Sequence, residues 1–204
     1  AGFFLPWVVK LPLSANQWTG VSFLLGLASL VMISTGKHAD GLRGALLFQL
    51  FYIVDDWDGA VARAKGQSSA WGSWLDVSVD GVVQSGLVLA LAWGLLQAGA
   101  PGWVGLLGLV AWAGITLDFA ATMWGKTRGV GPAVFGDASR TEGGIAPSRL
   151  PAWLSRNLTH ENFSLVLVLA LVLARRLLLL AAMAVGCHVY WIQFLRGSIR
   201  RCQD

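Results

Sequence analysis

Apolar residues run along this chain in long blocks separated by short polar connections. A helix needs about 20 apolar residues to cross a bilayer, and the blocks are of that size. The pattern predicts six transmembrane helices: Gln17–Thr35, Gly44–Ala64, Gly72–Gln97, Gly102–Gly125, Trp153–Ala174 and Leu177–Leu195. A polar, Gly-rich connection from Lys126 to Pro151 separates the fourth from the fifth. The last apolar block, Phe163–Leu195, is too long for one span and is interrupted by Arg175 and Arg176. It is read as a hairpin, because two arginines inside one tilted helix would cost about 2.5–3.5 kcal/mol each at mid-bilayer. The expected fold class is therefore an all-α integral membrane protein, a single domain over residues 1–204. Ahead of the first span, "FFLPWVVKLPLSANQW" reads either as a short interfacial helix lying on the membrane or as an unstructured lead-in.

Composition agrees with the pattern. The chain is 55% hydrophobic and 13% charged, with a mean hydropathy of +0.62, whereas a soluble domain carries about 25% charged residues. Membrane helices tolerate glycine well, which suits the 25 glycines, and the 11 tryptophans suit interfacial belts. Cys187 and Cys202 show neither metal-ligand spacing nor a disulfide framework, so they are read as bystanders. No cleavable signal peptide is visible, and the absence of a first Met suggests a trimmed start.

Charge sets the expected orientation. With six spans, one face receives Lys10, Arg63, Lys65, Lys126, Arg128, Arg140, Arg149, Arg156, Arg196, Arg200 and Arg201. The other receives only Lys37, Arg43, Arg175 and Arg176. The positive-inside rule then places both termini on the cytoplasmic side of a multi-pass protein, in the cell (inner) membrane if the source is bacterial. The basic residues are spread over loops with no soluble module to display them, so no nucleic-acid partner is expected.

Against this apolar background, "YIVDDWDGAVARAKGQSSAWGSWLDVSVDG" places five aspartates where one span ends and the next begins. Residues three or four apart share a helix face. Asp55, Asp58, Gly59 and Ala62 therefore line one face at the end of the second span, and Gly72, Asp76 and Asp80 line one face at the start of the third. Four convergent carboxylates repel one another as bare anions. A divalent cation resolves the repulsion, and hard oxygen ligands suit Mg²⁺, Mn²⁺ or Ca²⁺. Helix caps or a solvated helix end are the plain alternative. Asp56 points about 100° from Asp55 on a helix, and is read as solvated or paired with Arg63 rather than as a ligand.

The spacing Asp55-x-x-Asp58-Gly59-x-x-Ala62-Arg63, eight residues, then Gly72-x-x-x-Asp76-x-x-x-Asp80 resembles the signature of the CDP-alcohol phosphotransferases, with every defined position present. The resemblance implies two divalent cations per site, Mg²⁺ or Mn²⁺, with Asp55, Asp58 and Asp76 as ligands. Asp80 would contact the second ion and act as the general base toward the acceptor hydroxyl. Gly59, Ala62 and Gly72 would let a cytidine nucleotide approach the helix backbone, although small residues in spans also serve packing. Arg63 would meet the nucleotide's phosphates through its forked guanidinium. The implied reaction is attack of an alcohol on the phosphorus bearing the donor's alcohol portion, with release of CMP, in phospholipid biosynthesis. The expected donor is CDP-diacylglycerol, a lipid that would enter from the bilayer, and the resemblance implies a homodimer.

Other residues leave their readings open. Relatives commonly carry an Asn and a Thr at the place of Asn16 and Thr19, preceded by Pro where this chain has Ala15; Thr19 then has a nucleotide-side role, or Ser14 or Asn16 simply caps the helix. Asp118, within the fourth span, either lines the acceptor pocket or pairs with a polar group of another helix. Lys126, Arg128 and Arg140 would meet a phosphorylated acceptor, or are loop charges of the positive-inside kind. "GKTR" is similar to a segment of phosphatidylglycerophosphate synthases, but Ser22 stands where those carry an arginine, and the residue after Asp80 is Gly81. His160 and Glu161 are read as a helix start capped by Thr159, and His188 as a core histidine. Two competing functions are an intramembrane prenyltransferase with an Asp-rich pyrophosphate site and a non-enzymatic cation transporter. The first needs more spans and leaves Gly59, Ala62, Arg63 and Gly72 unexplained. The second would place its ion near mid-membrane.

Overall fold

A computed structural model describes residues 5–127, 168–171 and 175–201. Its helices run in chain order as α1 (Leu5–Val8), α2 (Ala15–Ser34), α3 (His38–Ala64), α4 (Ala70–Gln97), α5 (Trp103–Thr127) and α6 (Arg176–Arg201). Residues 168–171 are also helical, and no strand occurs among the described residues. Helices α2 to α5 fall on the first four expected spans, and α6 on the sixth. The second is longer than expected, because His38 to Arg43 extend the helix ahead of Gly44. Most of the fifth expected span lies outside the described residues. Where the sequence left a choice for the lead-in, the structure has one short helical turn, α1, followed by a non-helical passage into α2.

Two of these helices, α2 and α4, are long and apolar enough to cross a membrane by length and composition. Trp103–Leu117 and Arg176–His188 are shorter apolar stretches. Helix α3 is not among them, and its sequence explains why: Asp40, Arg43, Gln49, Asp55, Asp56, Asp58 and Arg63 are distributed along it.

Local chemistry sets the helix ends. Ser14 caps α2 in a reciprocal box: its Oγ accepts from Gln17 N–H (3.3 Å), and its own N–H donates to Gln17 Oε1 (2.8 Å). Helix α3 closes on Gly66 at φ 63°, where Gly66 N–H donates to Arg63 O (3.4 Å) and Gln67 N–H to Ala62 O (2.8 Å). That pair of bonds is the Schellman arrangement, which needs the left-handed conformation glycine adopts without strain. The same device ends α4 at Gly99, φ 87°. Ser69 then caps α4 by accepting from Gly72 N–H at 3.0 Å.

Small residues let the helices meet closely. At Gly26 an added Cβ would strike Val83, and at Gly86 it would strike Leu30, so α2 and α4 cross at side-chain-free positions. Higher along the same pair, a Cβ on Gly94 would run into the Ile33 carbonyl, and one on Gly36 into that of Gly94. Between α2 and α3, the buried Ser29 hydroxyl donates to Gly44 O at 2.8 Å. The main core gathers Phe48 and Phe51 from α3, Val83, Leu87 and Leu91 from α4, Val104 and Ala111 from α5, and Leu180 from α6. A second, smaller core packs Val8 of α1 with Trp18, Val54 and Val61, beneath the end of α3 that carries the aspartates.

The arginine pair lies at the opposite end. Arg176, only 7% exposed, donates from its two terminal nitrogens to Gly36 O (2.9 Å) and Lys37 O (3.0 Å). It thereby joins the start of α6 to the α2–α3 connection, at the face the charge count had assigned to Lys37 and Arg43.

Candidate metal and nucleotide site

Three helix ends build the site. The last three turns of α3 present Asp55, Asp58, Gly59, Ala62 and Arg63, the first turns of α4 present Gly72, Ser73 and Asp76, and the first two turns of α2 present Asn16 and Thr19. The 65–69 turn joins α3 to α4, and α2 packs against both, so residues of the two motif halves reach one place. Carboxylate oxygens of Asp55, Asp58 and Asp76, one from each, all lie within 4.8 Å of one another. Asp58 is buried and the other two are half-buried.

These residues fit a hard divalent cation. The donors are three carboxylates, the preferred ligands of Mg²⁺ and Mn²⁺. Asp55 Oδ1 is buried with no hydrogen-bond partner among the described residues, a costly arrangement for an acceptor unless a cation meets it. Asp80, the fourth motif aspartate, is not one of the three that converge. It sits one helical turn beyond Asp76, about 6 Å along α4, half-buried and near enough to Asp55 for their charges to interact. Asp56 is exposed and outside the group.

Beside the three carboxylates opens a cleft of about 200 Å³, whose walls include Thr19, Asp58, Gly59, Arg63, Gly72 and Asp76. The glycines keep it open. A Cβ at Gly59 would meet only Arg63 Nη1, at 3.4 Å, and one at Gly72 would press on Asn16 Oδ1 and Ser69 Oγ, both at 3.2 Å. Ala62 lines the same wall.

The role of Thr19 is sharper than the sequence allowed. Its hydroxyl, 3% exposed, donates to Asp58 Oδ2 at 2.5 Å and lies 3.2 Å from Ala15 O. Helix α2 therefore orients one carboxylate of the converging set. Two further residues escaped the sequence reading. Lys65, counted above among the loop charges, donates from Nζ to Leu11 O (2.7 Å) and Leu13 O (2.8 Å). Gln67 accepts from Ala15 N–H at 3.0 Å. Their partners lie more than fifty positions earlier in the chain, a separation that no local pattern reveals.

The acceptor-side candidates lie outside what the structure describes. Asp118 and Lys126 lie on α5, in a part whose side-chain placement is outside the described residues, as are Arg128, Arg140, His160 and Glu161 altogether. Ser22, where an arginine was the alternative, is fully buried and donates to Thr19 O at 2.9 Å. Gly81 makes room for α5, since a Cβ there would strike the Phe119 ring at 2.7 Å.

Comparison with known proteins gives the site its context. A 93-residue region is 36% identical to a phosphatidylinositol phosphate synthase of Corynebacterium glutamicum, covering 45% of this chain and 41% of that one. A 77-residue region is 35% identical to a protein of Aquifex aeolicus named bifunctional IPC transferase and DIPP synthase, covering 38% of this chain and 17% of that one. A protein of the same name from Rubrobacter xylanophilus is 32% identical over 127 residues, 61% of this chain and 27% of the relative. The chain thus spans less than half the length of these curated relatives. The family model described as CDP-alcohol phosphatidyltransferase matches residues 13–192, from the Ser14 cap through most of α6. Taken with the motif residues gathered on one cleft, that match means the chain belongs to the CDP-alcohol phosphatidyltransferases, membrane-embedded, divalent-metal-dependent enzymes that use CDP-alcohol donors and alcohol acceptors in lipid synthesis.

Proposed function

We propose that this protein transfers a phosphatidyl group from CDP-diacylglycerol to the hydroxyl of an alcohol, releasing CMP. The observation that carries the reading is the sharing of Asp58 and Asp76 between the carboxylate cluster and the cleft. A nucleotide diphosphate held in that cleft has its phosphates beside the converging carboxylates.

Each residue then has a task. Asp55, Asp58 and Asp76 would hold the divalent cations, two per site, Asp80 would be a ligand of the second, and Thr19 orients Asp58. The metal, Mg²⁺ or Mn²⁺, neutralises charge on the diphosphate when bound. Arg63 meets the nucleotide's phosphates, and Gly59, Ala62 and Gly72 give the cytidine access to backbone. Asp80 takes the proton of the acceptor hydroxyl as its oxygen attacks the phosphorus bearing the diacylglycerol. The new phosphodiester bond forms at that phosphorus, and the bond to CMP breaks. Positioning and charge neutralisation supply most of the rate in phosphoryl transfer.

The acceptor is proposed to be a phosphorylated polyol of the inositol phosphate kind. A relative named phosphatidylinositol phosphate synthase supports this, as does the charge count, which assigns the cations Lys126, Arg128 and Arg140 to the same face as the aspartates. The proposed setting is a six-span homodimer with both termini and the site on the cytoplasmic side. The test is CMP release by purified protein with Mg²⁺ or Mn²⁺, CDP-diacylglycerol and a panel of alcohols that includes inositol, inositol phosphate and glycerol 3-phosphate. Absence of CMP release with every CDP-linked donor sinks the reading. Release with another alcohol alone replaces the acceptor.

A further inference from the structure

One hydrogen bond outside the motif joins two walls of the cleft. Ala15 is the first residue of α2, after its cap Ser14. Backbone N–H groups in the first turn of a helix have no partner inside the helix. The capping box takes care of Gln17 N–H, while Ala15 N–H reaches across to Gln67 Oε1 at 3.0 Å. Gln67 is placed for this by the turn that ends α3, where its own N–H donates to Ala62 O. Two residues earlier, Lys65 Nζ grips the carbonyls of Leu11 and Leu13, in the passage leading into α2. The 65–67 turn therefore holds α2 at its entry and its first turn.

The first two turns of α2 carry Asn16 and Thr19 into the cleft, and the Thr19 hydroxyl donates to Asp58. Both Lys65 and Gln67 lie in the spacer between Arg63 and Gly72, where the motif defines no residue. We infer that Gln67 and Lys65 form a latch of positioning residues. They fix α2 against α3 so that Thr19 meets Asp58 and Asn16 faces a CDP-linked donor. The inference rests on the function proposed above for the donor, but its link to Asp58 does not.

The experiment is a double-mutant cycle on the full chain in nanodiscs, read by two binding measurements. One is CDP-diacylglycerol binding in the presence of Mn²⁺, and the other is Mn²⁺ alone, followed by its paramagnetic resonance. Gln67→Met removes the acceptor at similar volume. Stranding one backbone donor is expected to weaken donor binding by roughly fivefold to tenfold, and Mn²⁺ binding in the same direction. Ala15→Pro removes only the N–H: proline suits the first helical position, and Ser14 already has the extended ψ of 162° favoured before proline. In the Ala15→Pro background, Gln67→Met is expected to have no further effect. An equal loss in both backgrounds would mean that Gln67 acts by direct contact and would overturn the latch, as would wild-type binding by Gln67→Met. If Gln67→Met does not fold, Lys65→Met carries the test, with weakened Mn²⁺ and donor binding expected and unchanged binding overturning the proposal. A wild-type protein that binds Mn²⁺ but no CDP-diacylglycerol removes the donor reading instead, and the Mn²⁺ cycle then decides the latch.

Discussion

At the scale of single residues, the site turns on where hydrogen bonds to carboxylates come from. Asp58 is 5% exposed and accepts a hydrogen bond from the hydroxyl of Thr19 on another helix. Thr19→Val keeps the shape and removes that donor. We expect the Mn²⁺ concentration for half-maximal CMP release to rise by roughly tenfold, the usual cost of taking a partner from a buried charged group. Thr19→Ser should stay close to wild type. Equal activation of Thr19→Val and wild type would make the hydroxyl a bystander. The aspartates separate by role: Asp80→Asn should abolish transfer while sparing CDP-diacylglycerol binding, and Asp55→Asn or Asp76→Asn should weaken Mn²⁺ binding as well. Asp80→Asn with wild-type turnover would remove Asp80 from the role of base.

At the scale of helices, the sequence was legible where one segment carries its own signal. The Ser14 box, the Ser69 cap and the Gly66 and Gly99 stops are local chemistry, and the expected spans end within a few residues of them. The four motif aspartates were legible for a related reason, since their spacing on two consecutive helices survives as a pattern in the chain. Thr19–Asp58 and Ala15–Gln67 were not, because each joins positions 39 and 52 residues apart, respectively, through the crossing of helices. Helix packing also gives the glycines unequal weight. Gly94→Ala places a methyl against the Ile33 carbonyl and should cost about 1–3 kcal/mol, as overpacking does. Gly102→Ala meets open space and should shift stability by less than about 0.5 kcal/mol. Thermal unfolding of the two variants side by side checks the contrast, and a Gly94→Ala protein as stable as Gly102→Ala would contradict the close backbone approach.

At the scale of the whole molecule, the described helices divide into a chemical end and a structural end. Carboxylates and cleft occupy one, and the tight α2–α3 turn with Arg176 the other. Chelation should report on both the chemistry and the stability. Removing divalent metal with EDTA is expected to stop CMP release, with recovery on adding Mg²⁺ or Mn²⁺. It should also lower the unfolding midpoint, since the repelling carboxylates lose a ligand bound only by the folded state. An unfolding midpoint indifferent to EDTA and Mn²⁺ would argue against a bound cation at Asp55, Asp58 and Asp76.

The guanidinium of Arg176 has a consequence for the order in which the chain is assembled. It donates to Gly36 O, some 140 residues earlier in the chain, and adds a second bond to Lys37 O, which already accepts from Gly41 N–H at the start of α3. Until α6 arrives, the first hairpin must keep the Gly36 carbonyl near water or leave it unmet in an apolar surrounding. Arrival of α6 is thus what closes the α2–α3 turn, and a truncated product lacking α6 carries an unmet Gly36 carbonyl at that end of the first helix pair.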